Sequence, residues 1–276
     1  MSSLIARFCV EEPTTTETPV VVEVPHAGLQ ATAEELNTLV APAGALARDA
    51  DLYVDELYAD APSAGATLIY SHVSRYICDL NRAPQDIDAL AVVGGRAPAA
   101  PHGLVWRSTT EGAPALLRPL SAEELEVRLD AIYRPYHDAL GRLLERKRAQ
   151  FGYAILLCGH SMPSRGRPDA LGRAPDRADV VPGSRGGTSA HPGVIDLAEQ
   201  IARAQGYSVA HDDPYRGGFS TAHYGRPAVN VHALQIELAR RLYMDERTLT
   251  RKHNDFAATR NFCHTLVRRL GELRLT

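Results

Sequence analysis

Apolar positions along the chain fall into short continuous runs separated by stripes at helical spacing. Val20 to Val24, bounded by Pro19 and Pro25, is a β-branched run that predicts a buried strand. Ala66 to Val73 predicts a second strand and Tyr76 to Cys78 a further short one. Tyr153 to Cys158 is a continuous apolar run and the expected central strand; Ser208 to His211 and Val229 to Glu237 predict two more. Helical signals lie between these runs. Thr32-Ala-Glu-Glu35 and Ser121-Ala-Glu-Glu124 are capping boxes. The second opens a long amphipathic helix with the stripe Leu125, Leu129, Ile132, Tyr136, Leu140 and Leu143, in which Pro135 predicts a kink. Asp51 to Tyr58, Val194 to Gln205 and Asp245 to Glu272 also have helical spacing, the last with a break expected near Asn254. Ala83 to Pro119 and Pro163 to Gly187 are rich in Pro and Gly without a period and predict long loops.

Strands alternating with helices predict an α/β fold: a mostly parallel or mixed central sheet with helices on both faces. No internal repeat or linker divides the chain, so a single domain over residues 1–276 is expected, with residues 1–18 an irregular N-terminal segment.

Composition narrows the function. At 276 residues and 45% hydrophobic the chain can bury a large core. A net charge of -3 lacks the broad positive field of a nucleic-acid binder. The longest apolar runs, about six residues, fall far below the roughly 20 of a membrane helix. The segment Met1 to Pro19 has one early Arg and is then acidic and Thr-rich, unlike a secretory leader. Cys9, Cys78, Cys158 and Cys263 are scattered without CxxC spacing, which argues against a disulfide framework and favours a cytoplasmic enzyme. Of the 30 basic residues only Lys147 and Lys252 are lysine. Most of that excess matches GC-rich coding, but an arginine fork can also grip a carboxylate bidentately where lysine cannot.

Active sites of open parallel sheets lie beyond the carboxyl ends of the strands. The first strand is followed by Pro25-His26-Ala27-Gly28, and the central strand by Gly159-His160-Ser161-Met162-Pro163. Two such histidines suit a hydrolytic zinc site, Zn2+ or another divalent metal, whose third ligand is a carboxylate; the cluster Asp49, Asp51, Asp55 and Glu56 offers one. Ser74-Arg75-Tyr76 followed by Asp79-Leu80-Asn81-Arg82 places two forks and an amide together, as a carboxylate grip or as a surface ion-pair cluster around Asp79. Glu237 closes an apolar strand, either as a general base beside an activated water or as a partner of Arg240 or Arg241. Asp213 to Gly225 is a Gly-containing loop with Arg216 and His223 in reach. Neither a phosphate loop nor a GxSxG elbow is present.

Taken in order, PHAG, DLYVDEL, SRYICDLNR, CGHSMPS, DVVPGSRGGTS, DPYRGGFSTAHYG and ALQIELARRLYMDE resemble the N-formylglutamate amidohydrolase (deformylase) family from about Val20 to Glu246. That family is distantly similar to zinc carboxypeptidases and aspartoacylase. The resemblance implies His26 and His160 as zinc ligands, with Asp51 as the acid ligand and Asp55 as its alternative. It implies Arg75, Asn81 and Arg82 as substrate-carboxylate binders and Glu237 as the base; Arg185 and Arg216, in the Gly-rich loops, are weaker candidates for a substrate-binding fork. The chain departs from the HxxE ligand pattern of the carboxypeptidases, having Leu29 at that spacing, and carries Ala222 where the family's HYG loop often has Arg. The implied activity is zinc-dependent hydrolysis of N-formyl-L-glutamate to formate and L-glutamate in histidine degradation. A related N-acyl-amino-acid amidase and a non-catalytic binder of an acidic metabolite are the alternatives. The expected partner is a small acidic amide, with no nucleic acid and no membrane; the sequence does not specify an oligomeric state.

Overall fold

In the computed structural model the described residues are 6–95, 100–168 and 172–275. The start of the expected N-terminal segment (1–5), residues 96–99 of the first expected loop and 169–171 of the second lie outside them. The strands are β1 (Phe8–Glu11), β2 (Val20–Val24), β3 (Thr67–Ser71), β4 (Ala154–Met162), β5 (Val180–Gly183), β6 (Val231–Ala239), β7 (Met244–Asp245) and β8 (Thr250–Arg251). The helices are α1 (Ala33–Leu36), α2 (Ala43–Asp49), α3 (Val54–Leu57), α4 (Ala122–Arg128), α5 (Arg134–Phe151), α6 (Pro192–Ala204), α7 (Phe219–Tyr224) and α8 (His253–Glu272). The first six strands form one mixed sheet in the order β1-β3-β2-β4-β6-β5, and β7 and β8 form a separate two-stranded ribbon. The chain packs as two compact units. One comprises Met1–Val10, Pro25–Leu52 and Ile69–Arg142, the other Glu11–Val24, Tyr53–Leu68 and Leu143–Thr276.

In the second unit β2, β4 and β6 run parallel, and β5 lies antiparallel on β6. Every residue of β2, β4 and β6 is buried, which explains why apolar residues stand at consecutive positions, as in Val20–Val22 and Ala154–Cys158, rather than alternating. Gly159 within β4 is required by packing: a Cβ there would stand 2.5 Å from the ring of Tyr58.

Several expected elements change. The irregular start contains β1. Tyr76 to Cys78 is a turn whose Ile77 and Cys78 amides both donate to Ser74 O; its apolar character reflects burial, not a strand. The helix expected from Asp51 is confined to α3, and α2 precedes it. β5 occupies part of the second expected loop; its Pro182 and Gly183 hid it, yet an edge strand tolerates proline. Ser208 to His211 contributes a single bridge, Val209 to Val180, rather than a strand. The loop around Gly217 runs into α7. The C-terminal helix starts at His253, because residues 244–251 form the β7–β8 ribbon.

Both capping boxes form, with Thr32 accepting from Glu35 N and Ser121 from Glu124 N. The kink expected at Pro135 takes the form of a π-helical stretch over Leu129–Tyr133, where the Arg134 amide reaches back to Leu129 O. Proline cannot donate to the helix ladder, so the register slips one residue just ahead of it.

Candidate active site

In the first unit, Pro25 ends β2 and turns the chain so that His26 is buried. Gly28 makes this turn feasible, since a Cβ there would overlap the His72 carbonyl carbon at 2.1 Å. The Asp51 amide donates to His26 O at 3.0 Å, which brings the two residues together through the backbone. Asp51 Oδ2 lies 3.5 Å from His26 Nδ1. The other ring nitrogen, Nε2, is 2.8 Å from Asp79 Oδ1.

Asp79 is fully buried and densely bonded. Its Oδ1 also accepts from the Asn81 amide at 2.9 Å. Its Oδ2 accepts from Arg75 Nη2 at 2.9 Å and Trp106 Nε1 at 2.9 Å. Burial raises the carboxyl's pKa, but the charges of His26, Arg75 and Arg82 and the hydrogen bond from His26 outweigh it and hold Asp79 well below the usual carboxylate range. An ionised Asp79 requires Nε2 to carry the proton, so Nδ1 is the nitrogen left to face Asp51.

The loop Ser74 to Arg82 that carries Asp79 is held from the long helical stretch. Arg128 Nη1 donates to Ile77 O at 2.9 Å, Tyr133 Oη to Arg82 O at 2.9 Å, and His137 Nε2 to Leu80 O at 3.0 Å. Buried carbonyls without ladder partners are thus satisfied by side chains.

The predicted carboxylate binders fall on this loop with distinct contacts. Arg75 stacks over Trp106, 4.4 Å from guanidinium carbon to ring centroid, and directs its fork at Asp79. The ion pair seen as the alternative in the sequence therefore exists, but buried rather than on the surface. Asn81 is buried. Arg82 is half-buried, with Nε on His102 O at 2.7 Å and Nη1 on Asn81 O at 3.0 Å, which fixes the guanidinium plane.

In the second unit, His160 sits inside β4 rather than in the turn expected after it, because β4 continues to Met162 paired with β6. Its register partner on β6 is Glu237. Residues paired in a parallel ladder project to the same face, so imidazole and carboxylate stand side by side. Glu237 is buried, and its Oε1 accepts from Gln235 Nε2 at 2.9 Å. Arg240 is engaged by Ser161 Oγ at 3.2 Å and Arg241 by Asp179 at 2.7 Å. Arg185 and Arg216 are exposed. Arg185 Nη1 donates to Gly217 O at 3.1 Å, and its amide donates to Arg216 O at 2.8 Å, tying the two loops.

His26, Asp51 and His160 are all buried, and each offers a ligand atom within 4.8 Å of the others. Two imidazoles and one carboxylate could hold a divalent ion with three ligands, and Asp79 stands where the outer carboxylate of such a histidine would stand. Asp51, not Asp55, completes the group.

The family model described as N-formylglutamate amidohydrolase matches residues 18–244. The chain belongs to the N-formylglutamate amidohydrolase family. Among proteins similar to this family member are two N-formylglutamate deformylases. That of Pseudomonas putida is 36% identical over 231 residues, covering 83% of this chain and 82% of the relative. That of Pseudomonas aeruginosa is 35% identical over 256 residues, covering 91% and 92%. The crystal structure of N-formylglutamate amidohydrolase from Ralstonia eutropha JMP134 superposes with a TM-score of 0.87 at 35% identity, covering 97% of this chain and 98% of that one. Among the described residues of this amidohydrolase, no helix is long and apolar enough to cross a membrane.

Sequence reasoning missed Asp79 as the support of His26, although its place four residues after Arg75 marks a paired, buried acid. It also missed Gln235, which the alternation Gln-Ile-Glu places on the same face as Glu237. A Ser–His–Glu arrangement elsewhere does not compete as a nucleophilic site. Ser184 Oγ is 2.6 Å from His211 Nε2, and His211 Nδ1 is 2.9 Å from Glu199. Ser184 is wholly buried and accepts the Gly187 amide, so it serves a turn.

Proposed function

We propose that this enzyme is a metal-dependent, cytoplasmic deformylase that hydrolyses N-formyl-L-glutamate to formate and L-glutamate in histidine degradation. The observation that carries this reading is the buried His26, Asp51 and His160 group with Glu237 as the register partner of His160. Family membership and the deformylase relatives supply the substrate.

Zn2+, or another divalent cation, fits the donor set; when bound it supplies Lewis-acid stabilisation of negative charge and lowers the pKa of water. The protein's own residues do the rest. Glu237 removes a proton from water as its oxygen adds to the formyl carbon. The same carboxyl then passes the proton to the glutamate nitrogen as the C–N bond breaks, giving formate and the free amine. Arg82, with its plane already fixed, and Asn81 hold a substrate carboxylate, which positions the formamide from its far end. Arg75 acts with them through Asp79, whose position it sets. Arg185 and Arg216 add positive charge from the Gly-rich loops.

The test is release of formate from N-formyl-L-glutamate, compared with release of acetate from N-acetyl-L-glutamate and N-acetyl-L-aspartate. Preferential formate release supports the reading. Preferential acetate release would make the protein a different acyl-amino-acid amidase, and binding without turnover would make it a binder of acidic metabolites.

A further inference from the structure

A row of polar side chains lies buried in the centre of the sheet where a parallel sheet is normally apolar. Glu23 on β2, Cys158 on β4 and Gln235 on β6 are register partners across three strands. Their exposures are 0%, 0% and 4%. His160 and Glu237 form the next row on the same face, two residues further along β4 and β6.

The start of α7 contacts each member of this row. Ser220 Oγ donates to Glu23 Oε1 at 2.9 Å, Thr221 Oγ1 approaches Cys158 Sγ at 3.8 Å, and the Gly218 amide donates to Gln235 Oε1 at 2.9 Å. Gly217 makes this seating feasible. It has φ +102°, and a Cβ there would stand 2.8 Å from Thr221 Cγ2.

These contacts fix the orientation of the Gln235 amide. A backbone N–H can only donate, so Gln235 must present Oε1 to Gly218. Its NH2 group then faces Glu237, whose Oε1 accepts at 2.9 Å. We infer that Gln235 is a positioning residue for Glu237: the amide, locked by Gly218, holds Oε1 of the carboxylate and so fixes the rotation of the carboxyl group. A buried acid on a strand needs such a brace, because a rotated carboxyl would move the base away from the reacting water. The inference rests on the reading of Glu237 as base.

The test is Gln235→Met, which keeps length and volume but removes both hydrogen-bonding groups. It is assayed on the metal-loaded enzyme with N-formyl-L-glutamate, alongside bound metal, melting temperature and Glu237→Gln. The expected result is a fall in kcat of roughly 10–100-fold, with KM and metal content within about twofold. A kcat change below about twofold, a matched rise in KM, or loss of metal would overturn the inference. Should Q235M fail to fold, Gln235→Glu serves: it keeps the acceptor for Gly218 but turns an acceptor toward Glu237, so kcat should fall comparably, and a near-normal kcat overturns the brace. If E237Q is inactive while Q235M works normally, only the brace fails. If E237Q turns over, the base reading fails and the brace with it.

Discussion

Asp79 and His26 form a buried carboxylate–imidazole pair at 2.8 Å, and everything around Asp79 keeps its charge turned to the ring. Trp106 and Arg75 donate to one oxygen, the Asn81 amide and His26 to the other. Asp79→Asn would preserve size but force an NH2 group against one set of donors. The variant should bind Zn2+ about 10–100-fold more weakly, measured by titration against a chelator. Unchanged affinity would make the pair a packing contact.

Glu237→Gln keeps the shape of the side chain and removes its basicity. Turnover should fall by roughly 10²–10⁴-fold, while bound metal, measured by elemental analysis, stays the same. Retained turnover would place the base elsewhere.

Arg82→Lys keeps the charge and loses the fork that His102 O and Asn81 O hold in plane. KM for N-formyl-L-glutamate should rise roughly tenfold or more, about 1.4 kcal/mol, with kcat little changed. Steady-state kinetics at fixed metal loading separate the two, and an unchanged KM would make Arg82 a structural residue of the loop.

His232, the second residue of β6, accepts the His191 amide at Nδ1, 3.2 Å away, a bond that needs a neutral ring. Burial, with a smaller contribution from His191, pushes its pKa down to about 4. In the unfolded chain the imidazole binds its proton near pH 6.5. Between these values the unfolded state holds more protons, so this contribution is complete above pH 6.5 and is lost as pH falls toward 4. Urea unfolding at pH 7 and pH 5 should show a smaller stability difference for His232→Asn than for the parent; an equal difference would remove His232 as the source.

Much of this was legible from pattern. The β-branched Val20–Val24 run is β2, both capping boxes form, and PHAG and GHS carry the two histidines of the group that could hold a metal. Misplaced elements trace to tertiary context. β5 carries Pro-Gly, acceptable only because it lies at a sheet edge. The apolar turn Tyr76–Cys78 is buried by packing rather than by strand pairing. Periodicity could not show that β4 runs on through His160, because that extension depends on pairing with β6, a strand distant in sequence. The choice between Asp51 and Asp55 depends on the backbone bond from Asp51 N to His26 O, which no spacing rule encodes.

The proposed enzyme is a metal-dependent deformylase built on His26, Asp51, His160 and Glu237. Its most direct test is formate release from N-formyl-L-glutamate by protein assayed for bound metal, before and after chelation and after restoring Zn2+. Near-stoichiometric metal, formate release that disappears on chelation, and recovery when Zn2+ is returned are the expected results. Formate release that continues at full rate in metal-free protein would contradict it.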